Sequence, residues 1–185
     1  MKQLLFISCI ALLASCNNTA TTDTKNDSTG TATTTTEKKA MPEMPYTLDK
    51  PYNNWQPGDQ QHAHTVLTAL KNYENGDIAA CVKGFGDSVE VVMDGFSGKF
   101  SNDSLKTFFT AGRSQNTSMN IKMQDWESVI SEDKKEEWVT IWYKEKWMDK
   151  KGKADSISVI DDCKIVNGKI AVLSQAVQHY PAAKK

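Results

Sequence analysis

Between residues 118 and 180 the chain is a succession of four long runs in which apolar and polar residues alternate, separated by three short turn signals. The runs cover residues 118–131, 136–149, 154–166 and 169–180. The turns fall at 132–135, at 150–153 and at Asn167-Gly168. Successive side chains on a strand point to opposite faces, so alternation sustained over ten or more residues specifies long strands with one face buried. Asn-Gly between two such runs is a strong hairpin signal, because the favoured two-residue turn needs positive φ at both positions. Four strands joined by tight turns make an antiparallel meander, and its apolar face needs a second layer.

That layer is upstream. Gly58-Asp59 opens a helix that runs to Asn75, with Val66, Ala69, Leu70 and Tyr73 on one face. Gly76 is placed to end it, and Asp77 to cap a short second helix over 78–83. Residues 89–93 are a compact β-branched run, hence a strand, and Asp94-Gly95 and Ser97-Gly98 punctuate a turn. Asn102 is placed to cap a third helix, 103–113, whose apolar stripe is Leu105, Phe108 and Phe109. Helices first and a meander afterwards predict an α+β fold: a cone-shaped, curved antiparallel sheet with three N-terminal helices packed on its concave face.

The first 46 residues do not belong to that domain. Lys2 precedes an apolar stretch, residues 4–13, too short to remain as a spanning helix, which needs about 20 apolar residues. Leu13-Ala14-Ser15-Cys16 at its end resembles a bacterial lipobox. The resemblance implies a signal peptide over 1–15, cleavage before Cys16, a diacylglyceryl thioether on its sulfur and acylation of the new amino group. Stable anchoring takes two or more acyl chains, so the lipidated Cys16 would hold the protein in the membrane. The implied address is the bacterial cell envelope, on the periplasmic side of the outer membrane. Residues 16–46 are rich in Thr, Ala, Asp, Asn, Ser and Lys and carry no hydrophobic periodicity. Such a segment cannot bury enough apolar area to offset its ordering entropy. It reads as a tether, and 47–185 as the domain.

With 22 basic and 23 acidic residues the chain is close to neutral, which excludes the basic surface a nucleic-acid partner requires. No His, Cys, Asp or Glu cluster has metal-ligand spacing. His62 and His64 stand about 200° apart around a helix and cannot chelate together. No glycine-rich phosphate loop or serine elbow occurs, so neither a metal nor a cofactor is expected. Once Cys9 leaves with the signal and Cys16 is lipidated, Cys81 and Cys163 remain. In an oxidising compartment they are a candidate disulfide; the alternative is two separate buried thiols.

Asn75-Gly76-Asp77, Phe85, the strand at 89–93, the helix near Asn102 and the closing Asn167-Gly168-Lys169-Ile170 together resemble the nuclear transport factor 2-like superfamily. That superfamily includes ketosteroid isomerase and the SnoaL-like polyketide cyclases. The resemblance covers most of residues 60–180 and implies a cone with an apolar pocket between sheet and helices. It does not imply an activity, since the fold hosts enzymes and binding modules alike.

Polar residues on apolar stripes are the candidates for that pocket, because a buried carboxylate is costly unless paired or protonated. Asp161 interrupts the face formed by Ile157, Val159, Cys163 and Ile165, and Asp125 follows Met119, Ile121 and Met123. The resemblance puts Asp161 where ketosteroid isomerase carries a protonated aspartic acid. It puts Ala69 in place of that enzyme's tyrosine and Met93 in place of its base, with Asp94 one residue away. On the last strand Leu173, Gln175, Val177 and His179 alternate on the implied pocket face, and Trp142 is a further candidate. The sequence-level reading is a binder of a small apolar or amphipathic ligand, or of a protein partner, without catalysis. The alternative is an isomerase, cyclase or dehydratase using Asp161 with Asp125 or Asp94. The apolar residues on both faces of the run at 136–149 call for cover on the outer face as well. A homodimer or the N-terminal arm with Tyr52 and Trp55 would supply it.

The anchor yields a direct test. Cys16→Ser is expected to abolish palmitate labelling and shift the protein from the membrane to the soluble fraction; unchanged membrane retention would sink the lipid anchor.

Overall fold

The computed structural model describes residues 43–46 and 54–180. The signal, Cys16, nearly all of the tether, Tyr52 and the last five residues lie outside the described residues. The chain divides into two units, residues 1–46 and 47–185; the four described residues of the first are exposed.

In the second unit, α1 (Gln60–Asn75) begins at Asp59, whose carboxylate accepts the Gln61 N–H at 2.8 Å, and ends at Gly76 in the left-handed region. Gly58 fixes where the helix enters. Its N–H donates to Ser128 O at 2.7 Å, and a Cβ there would lie 2.8 Å from the Val129 nitrogen, so a side chain has no room. Asp77 caps α2 (Ile78–Cys81), accepting the Ala80 N–H, and the chain passes into a single 3₁₀ turn at Val82–Gly84.

Two local expectations need correction here. Residues Phe96–Ser101 are a strand and not a turn: β2 (Phe85–Met93) and β3 (Phe96–Ser101) form a hairpin about Asp94-Gly95, with Ser97 and Gly98 opposite Val92 and Val91. Aromatic packing overrides the local turn signal, since the Phe96 and Phe100 rings lie 5.4 and 5.0 Å from that of Phe108. The cap of α3 (Asn102–Arg113) is Ser101, whose hydroxyl accepts the Ser104 N–H. Asn102 turns inward, and its Nδ2 donates to Val82 O at 3.0 Å and Gly86 O at 3.3 Å. The side chain thereby pins α3 to the segment between α2 and β2.

The meander is present as read: β4 (Asn116–Ile130), β5 (Glu137–Asp149), β6 (Ala154–Val166) and β7 (Lys169–His179). Asn167 and Gly168 both have positive φ, as the two-residue turn demands. A two-residue strand, β1 (Gln56–Pro57), pairs with the end of β4. The sheet order is β1-β4-β5-β6-β7-β2-β3. Every pair is antiparallel except β2 with β7, which is parallel, so the sheet is mixed at that one seam. The three helices cover one face of the curved sheet. Ala63, Val66 and Ala69 from α1 and Leu105 and Phe109 from α3 are buried with Val139, Ile141, Val159 and Leu173 of the strands.

Cover for the outer face comes partly from within the sheet. Trp138 is half-buried, its Nε1 donating to Glu136 and its ring lying under Lys164 Nζ at 5.7 Å. The described part of the arm extends the β4 edge, and Trp55 stays exposed. Removing the Asn102 amide takes a donor from Gly86 O and one of the two donors from Val82 O, which also accepts the Phe85 N–H, and each lost hydrogen bond contributes about 1 kcal/mol. Asn102→Ala should therefore lower the urea midpoint without changing the slope; an unchanged midpoint would show that these bonds contribute nothing.

Candidate functional site

Between the helices and the inner sheet face lies a cavity of about 340 Å³, within the range of small-molecule sites. Its walls are mainly apolar: Val66, Leu70 and Tyr73 from α1, Phe108 and Phe109 from α3, and Ile141, Ile157, Ile170 and Leu173 from the strands. Ala111 and Gly112 also line it and are exposed. The cavity therefore reaches the surface beside the end of α3.

Asp161 sits inside. It shares its face of β6 with Val159 and Cys163, stands opposite Ile141 and Gln175, and is 5 % exposed. Both carboxylate oxygens are engaged: the Tyr143 hydroxyl donates to Oδ2 and Gln175 Nε2 to Oδ1, each at 2.9 Å. Burial raises the carboxyl to about 6, against the opposing pull of these two donors. Tyr143 is itself buried, and burial pushes its phenol well above the usual range, with the Asp161 charge adding to the shift. Asp161, Tyr143 and Gln175 are thus a satisfied polar network in an apolar wall.

A second acid lines the cavity. Glu145 follows Tyr143 on the inner face of β5. Burial lifts it to about 7, the charge of Asp161 adds to the rise, and Arg113 opposes it. Sequence reasoning missed Glu145, although the signal was the one that found Asp161: a carboxylate on the stripe of Val139, Ile141, Tyr143 and Trp147.

The other candidates divide by their position along the strands, by a bulge and by face. Leu173 and Gln175 line the cavity. Val177 lies beyond it in the partly buried margin of the core, and His179 is exposed at the strand end. Three candidates need correction. A bulge in β4 between Met123 and Asp125 shifts the register by one residue, placing Asp125 opposite Trp142 and Trp126 opposite Ile141. A one-residue shift exchanges the faces. Asp125 is consequently exposed on the outer face, with its Oδ1 accepting the Trp126 N–H. Trp142 lies on that outer face too, between the inward Ile141 and Tyr143. Asp94 is exposed in the β2–β3 turn, while its neighbour Met93 lines the cavity.

Of the two readings of the cysteine pair, the structure has the separate buried thiols: Cys81 and Cys163 are free and buried. Both thiols border the cavity, and burial raises each, Cys81 to about 12. Among the described residues no group of side chains is arranged to hold a metal ion.

Arg113 organises the cavity mouth. Its guanidinium donates to Tyr73 O and Glu74 O at the end of α1 and to Asn116 O at the start of β4. The Glu74 carboxylate in turn accepts the Ile121 N–H at 3.0 Å and pairs with Lys71 at 2.7 Å.

No family model matches the chain, and neither does any curated protein. Solved structures do. An NTF2-like protein of unknown function from Burkholderia pseudomallei is 11 % identical, with a TM-score of 0.53 over 64 % of this chain and 91 % of that one. TerC, co-crystallised with polyporic acid, is 14 % identical, with a TM-score of 0.52 over 64 % and 92 %. An LEH-like epoxide hydrolase from M. tuberculosis is 13 % identical, with a TM-score of 0.51 over 64 % and 84 %. At these identities the likeness is one of fold, and the chain has the NTF2-like cone.

The two acids make stability depend on pH. A carboxyl whose pKa folding raises holds more protons folded than unfolded, so its contribution is complete below the unfolded value and lost as pH rises. For Asp161 that window runs from 3.8 to about 6, and for Glu145 from 4.5 to about 7. Urea stability should include a decline across this range, and Glu145→Gln should flatten the part near neutrality. Parallel wild-type and variant profiles would show that Glu145 is not perturbed by folding.

Proposed function

We propose that this is a lipid-anchored protein of the bacterial cell envelope whose domain binds a small apolar or amphipathic molecule in the cone cavity without transforming it. The observation that carries this reading is a cavity of about 340 Å³ with mainly apolar walls and a fully bonded Asp161–Tyr143–Gln175 network. Apolar walls supply affinity, and a few fixed polar groups orient the ligand. Asp161 has both oxygens occupied by protein donors, so it is suited to ordering the wall. Co-crystallised polyporic acid in TerC supports small-molecule binding on this fold, and the lipobox-like Leu13-Ala14-Ser15-Cys16 supports the envelope address.

A second reading has one observation in its favour. Glu145, lifted to about 7, is poised to exchange a proton near neutral pH, which general acid–base chemistry needs. In that reading Glu145 replaces Asp125 and Asp94 as the partner of Asp161, and the reaction is an isomerisation, cyclisation or dehydration.

Native mass spectrometry of the purified protein, followed by metabolite screening by thermal shift, tests the binding reading. A co-purified or stabilising small molecule whose effect Leu173→Trp removes is expected, since the indole would fill the cavity. Absence of any ligand in both experiments would overturn it. Turnover of a bound molecule, lost in Glu145→Gln, would establish the second reading instead.

A further inference from the structure

The polar groups of the cavity are unequal, and the inequality selects a chemical class of ligand. At the buried end, Asp161 already receives two hydrogen bonds from Tyr143 and Gln175. Toward the mouth, Glu145 lines the cavity with no side chain among the described residues donating to it, and the charge of Asp161 acts on it against that of Arg113. The nearest protein cation does not neutralise it by contact, because Arg113 directs its hydrogen bonds to the carbonyls of Tyr73, Glu74 and Asn116. A carboxylate in an apolar wall without a bonded donor is a costly arrangement that a cation relieves.

The field at the mouth has the same sign. Arg113 bonds to carbonyls in the last turn of α1 and itself ends α3, so both helices present their negative ends there. Glu74, which accepts the N–H of Ile121 directly opposite Glu145, adds a carboxylate, while Lys71 pairs with it from the exposed side. Tyr73 and Tyr143, the remaining ionisable groups facing Glu145, stay neutral phenols because burial raises both. Against these stand the guanidinium of Arg113 and the Lys71 ammonium that balances Glu74, which leaves Glu145 and Asp161 as the carboxylates of the cavity without an ion pair among the described residues.

We propose that the cavity is selective for cationic amphiphiles: a small apolar molecule with one protonated amine, its ammonium on Glu145 and its body against Leu70, Phe109 and Ile141. This deepens the binding function proposed above and rests on it. An anionic ligand would meet two carboxylates, and a neutral one could at most donate a hydrogen bond to Glu145 without balancing its charge.

Three probes with one body separate the possibilities: 4-phenylbutylamine, 4-phenylbutanol and 4-phenylbutyrate, titrated calorimetrically into the purified protein at about pH 8 and about pH 5. At the higher pH the amine should bind about tenfold or more tighter than the alcohol, as a hydrogen bond between charged groups implies, and the acid should bind most weakly. The amine's advantage should disappear at the lower pH, where Glu145 and Asp161 take up protons. Glu145→Gln should bring amine and alcohol to within about twofold, with alcohol binding retained as the sign of an intact cavity. If amine and alcohol bind wild type equally, or the variant keeps the preference, this inference falls while the binding function stands. If none of the three binds, this inference falls, and the binding function is decided by native mass spectrometry and the metabolite screen.

Discussion

Arg113 is the contact on which the cavity depends. A helical layer can pack on a curved sheet at many angles, and apolar contact alone is too non-directional to choose among them. The guanidinium removes that freedom, because its planar donor set bonds the end of α1, through Tyr73 and Glu74, to the start of β4 at Asn116. Glu74 extends the tie along β4 by accepting the Ile121 N–H. Charged hydrogen bonds to carbonyls also satisfy helix-end groups that burial would otherwise leave without partners. With Gly58 held against Ser128 at the opposite end of α1, the helix is fixed at both ends, and the space beneath it can stay open.

What can happen in that space follows from how its polar groups are partnered. Tyr143 and Gln175 convert Asp161 from an isolated carboxylate into a bonded one, yet it still titrates above its ordinary range because burial outweighs two donors. Glu145 has no such compensation and is displaced to about 7. The network around Asp161 therefore gives the wall a fixed polar pattern, while Glu145 is the group whose state an incoming molecule can change.

Periodicity makes most of this legible, and what it leaves out has separate physical causes. The meander, the helix order, Asp59, Gly76 and Asp77 as helix boundaries, and the inward face of β6 follow from alternation and capping chemistry in the sequence. Asp125 did not, because a bulge is one extra residue in one strand and leaves no mark on composition. β3 was hidden because Ser97-Gly98 reads locally as a turn, and only the stacking of Phe96 on Phe108 makes it a strand. Asn102 has the chemistry of a cap, and a competing set of carbonyls from the α2–β2 segment claims its amide. Trp142 is a pocket candidate in the sequence, and its position between the buried Ile141 and Tyr143 sends it outward.

Glu145 bears most directly on function, and the reason is energetic. A fold selected for stability alone would place an apolar residue beside Tyr143, since two acids in one cavity weaken the folded state as they ionise. Glu145 instead occupies an inward position of a central strand, shares the inner face with Asp161, and feels the charge of an Arg113 whose hydrogen bonds go to backbone carbonyls. Local violations of packing rules concentrate at sites where a ligand supplies the missing partner. In the binding function proposed above, a cationic ligand would relieve part of the cost that burial imposes on the Glu145 carboxylate.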